Sequence, residues 1–586
     1  MLALRRLEDA EADGDMIYAV VRGLGASSDG KGSSVYAPRS EGQASALRRA
    51  YEKADYSPAT VELVEAHGTA TKAGDAAEAR GLTSVFGSAR EGETAWCALG
   101  SVKSQIGHTK AAAGSAGLIK VALALHHKIL PPTLKVSKPN SALGGEDSPL
   151  YINTEARPWI RGSDFPRRGS VSSFGFGGSN FHVTMEEYTG PGRRPKRLRT
   201  WSEELVVLSA ESSDALASAL AEIQTQVAAG RDLGLIAHEA AGAFSASAAA
   251  RVALIAGTAE ELAEKAAKAA DALRSAKADV LPDPDIIFGL GATDRGKLAF
   301  MFPGQGSQYV NMGAAAAMAF DSARAVWDQA ADMPEFAGDR LDRAVFPPPA
   351  FTDEERAVQA KNVTEMATAQ PSIAAVSLGY MSLLDQIGIK PDAAAGHSFG
   401  ELSALAAAGR IPSTKLLVSA RKRGEFMAEA ASTQAGAMIA VRSDADTISA
   451  LIDETSGVVV ANDNAPNEVV IAGSVESIDA FAAKLKESGM RSIRLPVASA
   501  FHSSIVASSV EPFHDYLGSV KWSSGDIDVY ANTTGEVYPK TGKAGRRLLA
   551  EQLASPVRFR QMVDAMYDSG VTHFVEVGPG AILTGL

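Results

Sequence analysis

The chain has 586 residues, of which 46% are hydrophobic and 22% are charged, and its formal net charge is −12. This composition is ordinary for a globular protein, and the length predicts about four domains. The acidic balance disfavours nucleic acid and anionic membranes as partners. The one cysteine excludes an internal disulfide, and the sequence shows neither a transmembrane stretch nor a signal peptide. We therefore expect a cytoplasmic, multidomain α/β protein.

The first predicted elements are strands and helices in alternation. Residues 17–22 alternate like a strand, and the glycines at positions 23 and 25, followed by the turn residues at 27–30, are expected to end it. A helix is predicted over residues 43–53, and a short apolar strand over residues 61–66 follows it.

Two histidines follow predicted strands in glycine-bearing turns. His67 comes directly after the strand over residues 61–66, and His108 comes after a strand over residues 96–100. Neutral imidazoles can donate hydrogen bonds to a carbonyl oxygen that becomes anionic. A single histidine in such a turn is more often structural, but the pair, with Lys103 close in sequence, predicts a catalytic site.

Three motifs around these residues match those of a known family. They are Glu65-Ala66-His67-Gly68-Thr69-Ala70-Thr71, Ser101-Val102-Lys103-Ser104-Gln105-Ile106-Gly107-His108 and Ser172-Ser173-Phe174-Gly175-Phe176-Gly177-Gly178-Ser179-Asn180. Nearly all of residues 1–188 resembles the C-terminal half of a β-ketoacyl synthase of the thiolase fold. The resemblance implies that His67 and His108 assist decarboxylation and condensation, with Lys103 as a supporting residue. It also implies that Phe176 gates the acyl pocket.

The segment departs from that family in two ways. Ala70 stands where the family usually has glycine. The family's nucleophile is a cysteine in the N-terminal half, and Cys97 is not expected to replace it, because it lies inside a predicted strand without a glycine turn. We expect the chain to begin just after the family's cysteine-bearing helix, so residues 1–188 alone should be inactive in condensation.

Residues 189–295 begin with a basic, proline-broken connector at 190–199. A nucleic-acid or localisation role is one interpretation, but the acidic chain favours a solvated linker. Beyond the connector, alanine-rich helices alternate with short strands, and no cluster of side chains looks catalytic. This segment resembles the small α/β linker domain between the synthase and acyltransferase domains of multidomain polyketide and fatty-acid synthases.

A serine turn organises residues 296–586. Small apolar residues at 393–395 predict a strand, and an alanine-rich helical pattern follows the turn. Between them, Ser398 is flanked by Gly396 and Gly400. A serine on a sharp strand-to-helix turn needs glycines on both sides, because a Cβ would clash there. We therefore predict that Ser398 is a nucleophile, the alternative being a serine that caps a helix.

A second subdomain is predicted inside this serine-bearing domain. Between about residues 430 and 496, strands and helices follow the order βαββαβ, which is ferredoxin-like. His502 comes shortly after it and is the expected general base for Ser398. Without Ser398, a histidine that merely packs in a loop would be the better interpretation.

Two further features could complete the serine site. The turn at residues 303–308 follows a predicted strand, and its backbone amides could contribute to an oxyanion hole. One arginine in the run Arg421-Lys422-Arg423 could bind a carboxylate through two parallel hydrogen bonds. On spacing alone, a charge cluster on a helix surface is the better interpretation of that run.

Residues 296–586 closely resemble a malonyl-CoA:acyl-carrier-protein acyltransferase, which has an α/β-hydrolase-like core. The positions that match the family's motifs are Gln305, Ser398, Arg423, His502 and Gln552. The resemblance implies a Ser–His dyad whose histidine is oriented by a backbone carbonyl near Gln552. It also implies that the amides of Gln305 and Phe399 form the oxyanion hole and that Arg423 binds the malonyl carboxylate.

The domain order of synthase, linker and acyltransferase resembles that of type I polyketide synthases. In its details the chain resembles the first subunit of polyunsaturated fatty acid synthases most. The predicted reaction transfers malonyl from malonyl-CoA to the phosphopantetheine thiol of an acyl carrier protein through malonyl-Ser398. Phe501 before the catalytic histidine is expected to crowd an α-methyl group. No metal or bound cofactor is implied, and the expected partners are the carrier protein and the remaining synthase domains.

Two alternatives from other classes remain open. One is a serine thioesterase or esterase on the same turn, which Arg423 and the lack of an acid partner disfavour. The other is a non-catalytic scaffold that docks a carrier protein, which the Ser398–His502 pair disfavours for the second half of the chain. For residues 1–188 the scaffold stays a serious alternative, because the family's nucleophile is missing there.

Overall fold

The computed structural model describes the chain except for residues 31–36, 88, 91, 144, 176, 194–201, 279–280, 292–295, 454 and 498. The chain folds as two units. One contains Met1–Arg197 together with Lys297–Leu586, and the other contains Leu198–Gly296. Most of the predicted connector at 190–199 lies outside the described residues.

The first part of the larger unit is built around a six-stranded sheet. The strands of this part are β1 (Ala19–Ser28), β2 (Leu63–Glu65), β3 (Cys97–Gly100), β4 (Ile129–Leu130), β5 (Leu150–Ile152), β6 (Arg157–Pro158), β7 (Arg168–Gly175) and β8 (Ser179–Glu187), of which β4 and β6 pair with each other outside the six-stranded sheet. Its helices are α1 (Leu7–Ala12), α2 (Ser40–Ala54), α3 (Lys72–Phe86), α4 (Lys103–Ile106) and α5 (Ala113–His127). The sheet order is β1-β8-β7-β2-β3-β5. Strands β7, β2, β3 and β5 run parallel, so the turns after β2 and β3 leave the same edge of the sheet.

Strand β1 continues through the two glycines that were expected to end it. It pairs antiparallel with β8 as far as Ser28. A Cβ on Gly23 would overlap the carbonyl oxygen of Ala50, and one on Gly25 would overlap that of Ala46. The prediction that these glycines end the strand is therefore wrong, because they serve the close approach of α2 to the strand backbone.

The described residues of the smaller unit form a three-stranded antiparallel sheet and three helices. Its elements are β9 (Glu204–Ala210), α6 (Ser213–Ala228), α7 (Leu233–Ala243), β10 (Ala250–Ala256), α8 (Ala259–Arg274) and β11 (Ile286–Leu290). The strand order is β11-β10-β9. The side chains of Ser212, Asp232 and Thr258 cap the three helices by accepting a hydrogen bond from a first-turn amide. Leu220, Val252 and similar apolar residues form its own buried core.

The second part of the larger unit contains two sheets. Its strands are β12 (Lys297–Phe302), β13 (Ala393–Gly396), β14 (Gly436–Val441), β15 (Val458–Ala465), β16 (Glu468–Ser474), β17 (Ser492–Arg494), β18 (Asp528–Val529) and β19 (Val571–Glu576). The helices up to β14 are α9 (Ala314–Ala319), α10 (Asp321–Asp332), α11 (Leu341–Val345), α12 (Asp353–Thr364), α13 (Met366–Gln386), α14 (Gly400–Ala407) and α15 (Ser413–Thr433). The remaining helices are α16 (Ala445–Leu451), α17 (Val475–Glu487), α18 (Val510–Gly518), α19 (Gly542–Glu551) and α20 (Phe559–Asp568).

The central sheet of this part is parallel, with the order β18-β13-β12-β19. Every residue of β13 is buried, which explains why that strand consists of alanines and a glycine. The second sheet has the order β15-β16-β14-β17 with antiparallel pairs throughout. Helices α16 and α17 share a core with it around Ile439, Ile471 and Phe481. This is the strand order of a ferredoxin-like fold.

A buried arginine joins the two parts of the larger unit. Arg167 lies at the start of the β7 region, and its Nη2 donates to both carboxylate oxygens of Asp328 on α10, at 2.6 and 2.8 Å. Its Nη1 is 3.2 Å from the Glu187 carboxylate, and its Nε donates to the Trp159 carbonyl at 2.7 Å. Two acidic partners and a carbonyl thus satisfy one buried cation across this junction.

Within the described ranges, no helix combines the length and the apolar character that crossing a bilayer requires.

We expect Gly25→Ala to loosen the first part of the larger unit. The added Cβ has no room beside the carbonyl of Ala46, so the helix must move away from β1. The cost should be about 1–3 kcal/mol, read as lost hydrogen-exchange protection in β1 and α2. Gly175→Ala is the matched control, because a Cβ there meets its neighbours at ordinary contact distances of 3.6 Å or more. Equal protection in both variants would contradict this packing argument.

Candidate active site

The predicted nucleophile sits on a turn that only glycines allow. Ser398 lies between β13 and α14 with a φ of +50°, in the left-handed region that a residue with a Cβ rarely adopts. A Cβ on Gly396 would overlap the carbonyl of Gly400, and one on Gly400 would overlap the carbonyl of Phe302. The turn therefore brings the end of β13, the start of α14 and the end of β12 together at the carboxyl edge of the sheet.

His502 is hydrogen-bonded to the serine. The Ser398 Oγ and the His502 Nε2 are 2.7 Å apart, although the two residues are 104 positions apart in the chain. The His502 Nδ1 lies 3.0 Å from the carbonyl oxygen of Gln552 and 3.1 Å from that of Ser555. Because carbonyls only accept, Nδ1 carries the proton and Nε2 is left as the acceptor for the serine hydroxyl.

Burial keeps this histidine neutral. Burial, helped by the nearby Arg423 cation, lowers the pKa of His502 to about 3. At neutral pH the imidazole is therefore unprotonated and can accept a proton. Two backbone carbonyls orient it, and no side-chain acid is hydrogen-bonded to it within the part of the chain that the structure describes.

Arg423 places a cation beside the serine. Its Nη2 lies 3.5 Å from the Ser398 Oγ and donates to the Gln552 Oε1 at 3.0 Å, and its Nη1 donates to the Gln370 Oε1 at 3.1 Å. Burial lowers the pKa of Arg423 to about 10, and the group stays charged at neutral pH. Among the described residues it forms no ion pair, although it is only 1% exposed. A buried guanidinium held by neutral amides is suited to bind an anion that enters the site.

Gln552 links three parts of the site. Its carbonyl faces His502, its Oε1 accepts from Arg423, and its Nε2 donates to the Ser398 carbonyl at 2.6 Å. The family resemblance placed Gln552 among the substrate-binding residues and implied that a backbone carbonyl near it orients the histidine. The side-chain contacts with Arg423 and with the serine backbone were not predicted.

The proposed oxyanion-hole residues come from two turns: Gln305 follows β12, and Phe399 follows Ser398. Phe399 is fully buried directly after the serine, and the Gln305 Oε1 accepts from the Gln370 Nε2 at 3.4 Å. In the described part of the chain, the backbone amides of Gln305 and Phe399 have no protein acceptor. Phe501 is 9% exposed and precedes His502 directly.

Sequence reasoning missed a layer of polar side chains beneath the serine. Asn532, Glu401 and Tyr538 are all buried there. The Asn532 Oδ1 accepts from the Ser398 backbone amide, and the backbone amide of Asn532 donates to the Glu401 carboxylate, each at 2.6 Å. Burial raises the pKa of Glu401 to about 7. No signal in the sequence connects Asn532 with Ser398, because the two residues are 134 positions apart.

The two histidines of the first part also meet. The ring centroids of His67 and His108 are 5.5 Å apart, with the rings nearly perpendicular. A cavity of about 490 Å³ lies beside them, and Lys103 and His108 are among its lining residues. Burial, followed by the charges of Lys103 and His108, lowers the pKa of His67 to about 4, so this ring is neutral at neutral pH.

Side-chain acceptors hold both histidine turns through backbone amides. The backbone amides of His67 and Gly68 donate to the carboxylate of Glu78, at 2.7 and 2.9 Å. The amide of Lys110 donates to the His108 Nδ1 at 3.0 Å, so the proton of a neutral His108 is on Nε2. Burial lowers the pKa of Lys103 as well.

Three sequence expectations for this region have different outcomes. Cys97 is buried inside β3, and burial raises its pKa well above the usual value, as a structural cysteine requires. Ala70 has a φ of +60°, a conformation that glycine adopts without strain. Phe176, the predicted gate of the acyl pocket, lies outside the described residues.

No cluster of acidic, histidine or cysteine side chains suited to a metal ion occurs among the residues that the structure covers.

Three family models match the chain. The C-terminal domain of β-ketoacyl synthases matches residues 18–137, the ketoacyl-synthetase C-terminal extension matches residues 139–252, and the acyl transferase domain matches residues 299–585. The solved acyltransferase domain of an iterative polyketide synthase in enediyne biosynthesis is 26% identical, with a TM-score of 0.51, covering 66% of this chain and 88% of that one. These matches confirm the predicted fold class.

Curated relatives match over the whole chain. It is 36% identical to a polyunsaturated fatty acid synthase polypeptide of Thraustochytrium sp. and covers 22% of that protein. It is 33% identical to the phenolphthiocerol synthesis polyketide synthase type I Pks15/1 of Mycobacterium marinum and covers 27% of it. The chain thus spans about a quarter of the length of these relatives.

We expect His502→Ala to slow the reaction of Ser398 with a fluorophosphonate probe. Without the acceptor at 2.7 Å, the serine hydroxyl keeps its proton, and labelling should slow by about 10²–10⁴-fold. His514→Ala is the matched control, since His514 lies on α18 and has no hydrogen bond to the serine. Labelling followed by intact mass spectrometry measures the rates. Undiminished labelling of the His502 variant would show that another group activates the serine.

Proposed function

The chain belongs to the β-ketoacyl synthase C-terminal and acyl transferase domain families, and we propose that its acyl transferase domain moves malonyl from malonyl-CoA to the phosphopantetheine thiol of an acyl carrier protein. One observation carries this proposal. The buried guanidinium of Arg423, unpaired with any acid among the described residues, lies 3.5 Å from the Ser398 Oγ. A cation at that distance suits an acyl group with its own carboxylate.

The first half-reaction forms an ester on the serine. The His502 Nε2 takes the hydroxyl proton as the Ser398 Oγ attacks the thioester carbonyl carbon of malonyl-CoA. The carbonyl oxygen becomes anionic, and the amides of Gln305 and Phe399 donate to it. The carbon–sulfur bond then breaks, His502 returns the proton to the departing thiolate, and CoA leaves.

Arg423 holds the malonyl carboxylate while the ester lasts. Gln370 and Gln552 each accept a hydrogen bond from its guanidinium, which fixes the plane of that group. A planar guanidinium can donate two parallel hydrogen bonds to a carboxylate, as a lysine cannot. The free carboxylate of malonyl thereby also orients the ester carbonyl against the oxyanion hole.

The second half-reaction uses the same residues in reverse. The phosphopantetheine thiol of the carrier protein gives its proton to His502 and attacks the ester carbonyl. Ser398 leaves with the returned proton, and the malonyl group ends as a thioester on the carrier. His502 is 3% exposed, and this burial limits competing attack by water.

Phe501 is the proposed selector for malonyl over methylmalonyl. It is mostly buried next to the catalytic histidine, where a bulky ring would crowd an α-methyl group. One such contact discriminates by roughly 1–3 kcal/mol.

For the first part of the chain, we propose a role in condensation. Neutral His67 and His108, with Lys103 beside them, would donate hydrogen bonds to a carbonyl oxygen as it becomes anionic, and Phe176 would gate the acyl pocket. Cys97 is buried in β3, so the nucleophile must come from another part of the synthase. The partners are the carrier protein and the other synthase domains, in polyketide or polyunsaturated fatty acid synthesis in the cytoplasm.

Intact mass spectrometry after brief incubation with malonyl-CoA, methylmalonyl-CoA or acetyl-CoA tests the proposed reaction. We expect a malonyl adduct that is absent in Ser398→Ala and is weaker with the other two donors. Free CoA without an adduct would instead indicate a thioesterase. Neither adduct nor free CoA would favour a carrier-docking scaffold.

We expect Arg423→Ala to lose malonyl loading selectively. Removing the guanidinium takes away the partner of the malonyl carboxylate, so the malonyl-loading rate should fall by roughly 30-fold or more, equivalent to about 2 kcal/mol. Loading from acetyl-CoA, which has no such carboxylate, should change much less. Lys422→Ala is the control, because this neighbour on α15 pairs with Glu425 on the helix surface. Equal losses with both donors would show that Arg423 does not bind the carboxylate.

A further inference from the structure

Asn532 is hydrogen-bonded to both sides of the nucleophile turn. Its Oδ1 accepts from the Ser398 amide at 2.6 Å, and its Nδ2 donates to the Gly396 carbonyl at 2.6 Å. The same Oδ1 lies 3.5 Å from the Gln552 Nε2, and the same Nδ2 lies 3.6 Å from the Met562 Sδ. Asn532 is fully buried, so water cannot replace these bonds.

The turn needs such an external hold. Ser398 has a φ of +50°, and a non-glycine residue there costs of order 1–3 kcal/mol and persists only where its surroundings impose it. Asn532 binds the chain before the serine and at the serine amide. Gln552 binds the serine carbonyl at 2.6 Å. The backbone of the nucleophile is therefore fixed on both of its peptide units by side chains from distant segments.

Glu401 fixes Asn532 in turn. Its Oε2 accepts from the backbone amide of Asn532 at 2.6 Å, and its Oε1 accepts from the Tyr538 hydroxyl. Glu401 belongs to the first turn of α14, directly after the serine turn, and is fully buried. The helix that follows the nucleophile thus holds the loop that carries Asn532. That loop closes on itself, because the amide of Ala531 donates to the Glu536 carbonyl at 2.8 Å.

We propose that Asn532 is a positioning residue for acyl transfer, which sets the Ser398 Oγ against His502 and is itself held by Glu401. The inference rests on the proposed function, because it concerns the same serine. It adds a second effect. The Phe399 amide belongs to the peptide unit after Ser398, so rotation of the serine backbone also moves that proposed oxyanion donor. Nucleophile and oxyanion hole are then displaced together when the side-chain amide of Asn532 is lost.

Only a primary amide serves both contacts at neutral pH. In Asn532→Asp, an ionised carboxylate can still accept from the Ser398 amide, but its second oxygen faces the Gly396 carbonyl and repels it. Protonation of that carboxyl gives back a donor. The charged or titratable groups around this position are Glu401 and Tyr538, Arg423 on α15, His397 in the turn and His502. Buried beside Glu401, the introduced carboxyl should have a raised pKa and take up its proton as the pH falls towards 5.5.

Stopped-time intact mass spectrometry tests the proposal on the full chain. The probes are malonyl-CoA and a fluorophosphonate, and the reactions are followed between pH 8 and pH 5.5. The proteins compared are the wild type, Asn532→Asp, Asn532→Leu and the control Thr533→Val. Thr533 is the next residue in the loop, and its hydroxyl has no partner within the described part of the chain. Thermal unfolding of each protein separates loss of fold from loss of rate.

At pH 8 we expect both Asn532 variants to load malonyl and to react with the fluorophosphonate about 10²-fold more slowly than the wild type, as a displacement of about 1 Å would cause. The apparent KM for malonyl-CoA should change little, and Thr533→Val should behave as the wild type. On lowering the pH to 5.5, the rate of Asn532→Asp relative to the wild type should recover, whereas that of Asn532→Leu should not.

Wild-type rates in both Asn532 variants, or a loss in Asn532→Asp that is the same at every pH, would overturn the proposal. A raised KM with an unchanged maximal rate would overturn it too, since that pattern belongs to substrate binding. If the wild type reacts with the fluorophosphonate but takes no malonyl, the proposed function fails. The fluorophosphonate rates then decide the role of Asn532 independently.

Discussion

The close approach of three backbone segments at Ser398 is the constraint on which the acyltransferase part depends. Gly396 and Gly400 have no room for a Cβ, because the carbonyls of the turn and of β12 occupy that space. The serine is thereby forced to a φ of +50° at the carboxyl edge of a parallel sheet. This strain has to be offset by contacts from elsewhere, and the buried side chains of Asn532 and Gln552 supply them.

Burial also determines which groups of that site are charged. A desolvated imidazole whose Nδ1 faces two carbonyls stays neutral, so His502 is a base throughout the physiological pH range. The Arg423 guanidinium loses some basicity through burial, but its pKa of about 10 keeps it cationic. The site therefore combines an unprotonated base with a cation held by amides. Glu401, with a pKa raised to about 7, follows Ser398 by one helical turn and accepts hydrogen bonds from Asn532 and Tyr538.

In the first part of the larger unit, turns at the carboxyl edge of parallel strands carry histidines instead of a serine. Parallel strands β2 and β3 end at one edge, and their following turns bring His67 and His108 together beside a cavity. Burial again keeps the deeper imidazole neutral. Neutral rings suit the donation of hydrogen bonds, and in this part of the chain no cysteine is placed to act as a nucleophile, because Cys97 lies inside β3. The buried contacts of Arg167 tie this part to the acyltransferase part within one unit.

Local patterns in the sequence determined the strand–turn–helix around Ser398, the βαββαβ order between about residues 430 and 496 and the two histidine turns, because those signals depend on neighbouring residues. The pairing of Ser398 with His502 could be expected only from their chemistry and from the family resemblance. The tertiary structure alone decided the role of Gly23 and Gly25, which look like strand breakers until α2 packs against them. It also decided that Asn532 and Glu401 lie beneath the serine, since a hydrogen bond between residues 134 positions apart leaves no local pattern.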